Sequence, residues 1–151
     1  MRHGNRWMIV LLLIACLQLA ACTQKAAEGA SKSKIEPAKV EHNEATGLGR
    51  ITLTAQAAKR LGIQTAKVGD AKVGGKQRKV IPYAAVIYDP KGAAWAYTNP
   101  EPLVFVRHSI SIDEIRGNQA VLSAGPPSGT AVVTVGAAEL FGTEVGIGGG
   151  H

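Results

Sequence analysis

Beyond Cys22 the sequence has no cysteine, and beyond Met8 it has no methionine. A folded part drawn from residues 23–151 therefore holds no disulfide and no cysteine-ligated zinc. Aromatic residues are scarce too, at 5% of 151 residues in a chain that is 46% hydrophobic and carries 18 glycines and 7 prolines. The apolar content is mostly alanine, valine, isoleucine and leucine in short pieces cut by turn residues, which excludes a long coiled coil and a collagen-like helix. The length is that of one domain. Net charge is a formal +6, falling to +4 once Arg2 and Arg6 are set aside. With that mild excess, and no aromatics interleaved among the basic residues, no nucleic-acid partner is expected.

Only one long apolar run is present, from Met8 to Ala20, preceded by Arg2 and Arg6 and followed by small residues. Its thirteen residues would make a helix of about 20 Å, short of the roughly 30 Å hydrocarbon core, so an export signal is expected rather than a spanning helix. The signal ends in Leu19-Ala20-Ala21-Cys22, which resembles the bacterial lipobox. That resemblance implies that residues 1–21 are removed and that Cys22 becomes the acylated first residue of a mature lipoprotein facing the periplasm. At roughly 0.8 kcal/mol per buried methylene, several acyl chains hold a protein on a bilayer essentially permanently. Under the familiar sorting rule, Thr23 rather than Asp after the cysteine favours the outer membrane.

Residues 23–49 are rich in Ala, Lys, Glu and Ser without apolar periodicity, and together with Cys22 read as a lipidated, disordered linker. A flexible coil of that length reaches about 26–31 Å. Within it Glu41-His42-Asn43-Glu44 groups potential metal ligands, and His151 offers another imidazole at the far end. A flexible segment without supporting partners binds metal weakly, so no metal site and no cofactor are expected. The glycines of Gly47-Leu48-Gly49-Arg50 read as a hinge, lacking the surroundings of a phosphate-binding loop.

From residue 50 to 145 the pattern is mainly β. Ile51-Thr52-Leu53-Thr54 alternates like a strand. Thr54 then stands where a helix N-cap belongs, Ala55 to Leu61 are helix formers with Lys59 and Arg60 in the last turn, and Gly62 follows as a stop. Ile63 to Val68 is strand-like, and Gly69 to Lys79 reads as a loop. Val80 to Tyr88 reads as a strand with Pro82 near its start, and Asp89-Pro90-Lys91-Gly92 spells a type I turn into a strand over Ala93 to Thr98. Asn99-Pro100-Glu101-Pro102 should break the pairing. Leu103 to Ile112 should follow as one strand, with His108 among four aliphatic residues on one face and Arg107 on the other, solvated or at a subunit contact. Gly117-Asn118 is a hairpin turn into Gln119 to Ser123. Gly125 to Gly129 is a second break, Ala131 to Val135 a further strand, Gly136 to Phe141 a helical turn, and residues 146–151 a disordered tail.

Catalytic machinery is not evident. The imidazoles after Cys22 are His42, His108 and His151, and no G-x-S-x-G elbow marks a nucleophile. The chain is not expected to be an enzyme.

Three stretches are similar to the periplasmic adaptor subunits, or membrane fusion proteins, of resistance-nodulation-division (RND) efflux systems. Ile51-Thr52-Leu53-Thr54 through Leu61-Gly62-Ile63 resembles the segment that opens the adaptor β-barrel domain. Val80-Ile81-Pro82-Tyr83-Ala84-Ala85-Val86-Ile87-Tyr88, with Gly92 and Trp95-Ala96-Tyr97, resembles a second adaptor stretch. Gly129-Thr130-Ala131-Val132-Val133-Thr134-Val135-Gly136-Ala137 resembles a third near the adaptor C-terminus. Order agrees across about 100 residues. The resemblance implies a small antiparallel β-barrel or membrane-proximal-type domain with one short helix. It also implies work beside an efflux transporter or full-length adaptor in drug or metal export, with self-association allowed. Full adaptors carry a lipoyl-like domain and a long helical hairpin where this chain has only Gly69 to Lys79, too short for either. The methionine-based copper capture of some heavy-metal adaptors has no residues here. The expectation is a truncated adaptor-like accessory or assembly partner; a free-standing small-ligand or metal-binding lipoprotein and a decayed adaptor are its alternatives.

Overall fold

The computed structural model describes residues 36–146, all within one compact unit. The expected signal, Cys22, residues 147–151 of the expected tail and His151 lie outside the described residues. Eleven strands and two α-helices follow in order: β1 (Ala38–Asn43), β2 (Leu48–Leu53), α1 (Ala55–Leu61), β3 (Gln64–Lys67), β4 (Gly69–Val73), β5 (Lys76–Pro82), β6 (Ile87–Tyr88), β7 (Ala94–Glu101), β8 (Val104–Ser109), β9 (Ser111–Arg116), β10 (Gln119–Ala124), β11 (Ala131–Val135) and α2 (Ala137–Glu144). All strand pairs are antiparallel. One sheet runs β1-β2-β8-β7-β11-β3, with β6 also on β7, and the other runs β4-β5-β10-β9.

The fold is mainly β, as expected, but it is not a closed barrel and has two α-helices rather than one. Closure would require the end strands of the larger sheet to pair with each other. Instead β1 and β3 remain edges among the described residues, and α1 and α2 pack on the face that closure would have enclosed. Ile51 and Leu53 of β2, Tyr97 of β7, Phe105 of β8 and Val133 of β11 meet Ala57 of α1 and Ala137 and Leu140 of α2 there. A second core fills the space between the sheets, where Val68, Ile81, Ala85, Ala96, Ile110 and Leu122 meet.

The chain passes between sheets at single buried residues. Val68 separates β3 from β4, and Ile110 separates β8 from β9, so the single strand expected over Leu103 to Ile112 is two strands in different sheets. The strand expected over Val80 to Tyr88 is likewise divided. Pro82 ends β5, a 3-10 turn over Tyr83–Ala85 follows, and β6 joins the other sheet. Apolar runs buried on both sides carry no signal for such a transfer, because either sheet accepts the same residues.

Two expectations fail for shortage of pattern. The linker expected to 49 ends sooner, because Ala38 and Val40 of β1 pack on the helix-side core opposite Leu53 and Ile51. Two apolar positions are too few to announce a strand in sequence. The loop expected over Gly69 to Lys79 is the β4–β5 hairpin, with Val73 opposite Lys76. Its turn is Gly74-Gly75, at φ of 57° and 79°, the double left-handed geometry of a type I′ hairpin. At Asn99-Pro100-Glu101-Pro102 the ladder breaks as expected, with a register shift between Thr98 and Glu101, yet β7 stays extended to Glu101. The Asn99 side-chain amide donates to the carbonyls of Glu101 (2.7 Å) and Val104 (2.8 Å), replacing the lost ladder bonds. Extended backbone is what a residue before proline prefers.

Candidate functional site

Helix α1 forms where its local chemistry says it should. The Thr54 hydroxyl accepts from the Ala57 amide at 3.1 Å, and the amides of Gly62 and Ile63 return to the carbonyls of Lys59 and Ala58, each at 3.2 Å. Both ends are thus satisfied within the segment.

Helix α2 has no side-chain cap and is held from a distance. Glu144 in its last turn is buried, and its Oε1 accepts from the Gly49 amide of β2 at 3.0 Å. The same oxygen pairs with Arg107 Nη2 of β8 at 3.2 Å, while Oε2 accepts from the Tyr97 hydroxyl of β7. Arg107 is stacked between Trp95 at 4.4 Å and Phe141 at 5.4 Å from the ring centres. The Trp95 indole N–H donates to Asp89 Oδ2 at 3.1 Å. This knot ties three adjacent strands to the C-terminal helix.

Gly49 is required for the close approach. A Cβ at this position would stand 2.7 Å from Glu144 Cγ and 3.1 Å from Val40 Cγ1. The glycine expected to act as a hinge therefore sits inside β2, where its missing side chain lets the carboxylate reach backbone. Arg107 is not the solvated or subunit-contact residue expected from alternation; its side chain is only 13% exposed. It shares a face with Phe105, and that was the signal for its burial, whereas nothing in the sequence around Glu144 marked it.

Two groups of the knot, Tyr97 and Asp89, are moved from their ordinary values. Burial first, then the hydrogen bond and negative charge of Glu144, push the Tyr97 phenol well above its ordinary value, against a smaller pull from Arg107. At Asp89 burial opposes the charge. The amide of Ala93, the Trp95 indole, the amide of Lys91 and the Arg107 charge more than offset it and hold the carboxyl below its ordinary range. A carboxylate whose oxygens already take three donors offers no free base. The knot positions structure.

The other residues singled out from sequence are not brought together. His42 is exposed on β1 opposite Gly49, and Glu41 beside it is paired with Lys39 at 2.7 Å. Adjacent strand residues point to opposite faces, and the Asn43 side chain accepts from the amides of Ala45 (2.9 Å) and Thr46 (3.3 Å). Among the described residues no group of three or more His, Cys, Asp or Glu is placed to hold a metal ion. His108, expected as a packed or edge histidine, is exposed, with Nδ1 2.8 Å from the Ser109 carbonyl.

Among the described residues the exposed large apolar side chains are Tyr83, Tyr88, Ile115, Val135 and Val145. Tyr83 and Tyr88, 41% and 49% exposed, flank the short passage from one sheet to the other. Partial desolvation and the neighbouring Tyr83 raise the Tyr88 phenol. The three adaptor-like stretches converge nearby, since β2, β7 and β11 belong to the same sheet and β5 feeds it through the 3-10 turn. Among the described residues no helix is long and apolar enough to cross a membrane.

No protein-family model and no curated protein sequence matches the chain. An NMR structure of 180 residues encompassing the N-terminal metal-binding site and the membrane proximal domain of SilB from Cupriavidus metallidurans CH34 is similar to it, at 17% identity and a TM-score of 0.43. The match covers 68% of this chain and 66% of that one, just under two thirds of its length.

Proposed function

We propose that this chain is a lipid-anchored envelope protein that presents an adaptor-like β module, without a channel-reaching arm, to an efflux complex. It acts there through protein contacts as an accessory or assembly partner. The supporting observation is the β4–β5 hairpin: the interval between the first two adaptor-like stretches is closed by a two-residue turn with β4 and β5 in full register. A random excision would leave strand ends with mismatched partners, whereas this junction extends a four-stranded sheet. This junction supports a functional short module over a decayed adaptor.

Anchorage rests on Leu19-Ala20-Ala21-Cys22 and places the module within tether reach of a bilayer. Crosslinking in intact envelopes, followed by identification of captured proteins, tests the partner role. A transporter subunit or full-length adaptor captured at Tyr83 or Tyr88 is the expected outcome. A chain that captures no envelope protein, or that binds divalent ions at submicromolar concentration and loses them on His42→Ala, overturns the reading.

A further inference from the structure

Charge is distributed unevenly over the end strands of the two sheets, β1, β3, β4 and β9. On β1, Lys39 is matched by Glu41 at 2.7 Å; on β9, Arg116 is matched by Glu114 at 3.0 Å and Asp113 by Arg78 at 3.2 Å. The remaining edges, β3 and β4, are consecutive in the chain and joined through Val68. From Lys59 to Lys79 the only acidic residue is Asp70, which accepts from the Ser128 hydroxyl at 2.8 Å. Lys59 and Arg60 of α1, Lys67 of β3, Lys72 of β4 and Lys76 of β5 are all exposed, and none has a carboxylate in ion-pair distance among the described residues.

Local rules account for single charges here. Cations suit the last turn of a helix, and lysines keep edge strands from pairing with other chains. Neither rule asks that so many cations stand against the single acid Asp70 without an ion pair, and the two other end strands keep their paired acids. Lys76, moreover, lies on an inner strand.

We infer that this basic strip, running from the end of α1 along β3 and β4 to the hairpin tip with Lys72 and Lys76 on opposite faces of the hairpin, seats the module edge-on on the anionic phosphate headgroups of a bilayer. The inference rests on the anchored reading for its geometry: Cys22 and Ala38 are 16 positions apart, a distance no longer than about 53–58 Å even at full extension. A tether of that reach holds the strip at high local concentration beside the membrane. Attraction to a charged leaflet fades within a Debye length, about 8–10 Å, so it acts only when the strip itself faces the lipid. The anchor sets proximity and the strip sets orientation.

Sedimentation of the full chain, prepared without acyl groups, with vesicles of pure phosphatidylcholine, and of phosphatidylcholine mixed with phosphatidylglycerol, tests this. Tighter binding to the mixed vesicles that fades at high salt is expected. Combining Lys59→Gln, Arg60→Gln, Lys67→Gln, Lys72→Gln and Lys76→Gln should abolish that preference, at about fivefold per seated side chain. Replacing the four lysines by arginine should keep it. Loss of the preference in the arginine variant, or its survival in the glutamine variant with unchanged circular dichroism, overturns the inference. So does a wild-type chain with no lipid preference whose glutamine variant instead loses a crosslinked protein, which would give the strip to an acidic protein face. Cys22→Ser separates the two readings. A preference for anionic vesicles that persists in this variant supports the strip whatever mass spectrometry finds at Cys22, and a preference that vanishes with the cysteine overturns it.

Discussion

Helices α1 and α2 rest on the same face of the larger sheet, seven and eight residues long, and are stabilised by opposite means. In α1 the cap, the basic last turn and the stop all lie between Thr54 and Ile63. In α2 the N-cap is Gly136, which has no side chain to cap with, and the polar anchor is a carboxylate whose donors sit at positions 49, 97 and 107. Short helices are marginal in water, so each needs help from outside its own hydrogen bonds. One gets it from immediate neighbours in sequence. The other gets it from strands distant in sequence and adjacent in space.

The strongest way to break this comparison is Glu144→Ala. It leaves Arg107, Tyr97 and the Gly49 amide without their acceptor, and removing one member of a buried ion pair costs about 3–5 kcal/mol. Urea denaturation should show a much lower midpoint at an unchanged slope. A loss no larger than that of a surface substitution would mean that the knot does not hold α2.

Tyr97→Phe comes next, at about 1.5–3 kcal/mol for a hydrogen bond to a charged group. It also carries a pH signature. The folded-state Tyr97 phenol is raised, so folded and unfolded chains hold the same proton below about pH 10, and stability is lost as pH rises above that as the unfolded phenol ionises. Native protein should lose stability above pH 10, and the phenylalanine variant should lose distinctly less. An identical alkaline slope in both would place the titration elsewhere.

Gly49→Ala should cost about 1–3 kcal/mol as an overpacked contact. Combined with Glu144→Ala it should cost far less, because the Cγ atom it meets is gone. Additive losses in that double-mutant cycle would deny the close approach any role. The smallest expected effect is Thr54→Ala, at about 1 kcal/mol for a lost N-cap. Amide exchange should rise at Ala57 and Ala58 and stay unchanged in α2, which sharpens the contrast between the helices.

What was legible in sequence follows the same division. Local chemistry identified α1 with both boundaries, the Asp89–Gly92 turn, the Gly117-Asn118 turn and β11, because each depends on residues within one turn of the chain. Partner-dependent features were missed. β1 shows two inward apolar residues and becomes a strand because β2 supplies its ladder. The β4–β5 hairpin is too polar to show a strand period, although Gly74-Gly75 is a recognised turn pair. Of the knot, Tyr97 stood inside an adaptor-like stretch and Arg107 alternated with Phe105, but Glu144 is a lone acid near the chain end whose role exists only after folding. Cys22, the residue with the clearest sequence signal, lies outside the described residues.

The passages at Val68 and Ile110 leave no slack between the sheets. Val68 is itself clamped, its amide to the Thr130 carbonyl and its carbonyl to the Gly129 amide, both at 2.8 Å. Rotating one sheet against the other would shear these bonds and open the core between them, so the two sheets resist relative rotation. A force applied at Tyr88 on one sheet is therefore carried to the β4–β5 hairpin on the other, as a lever turns its far end.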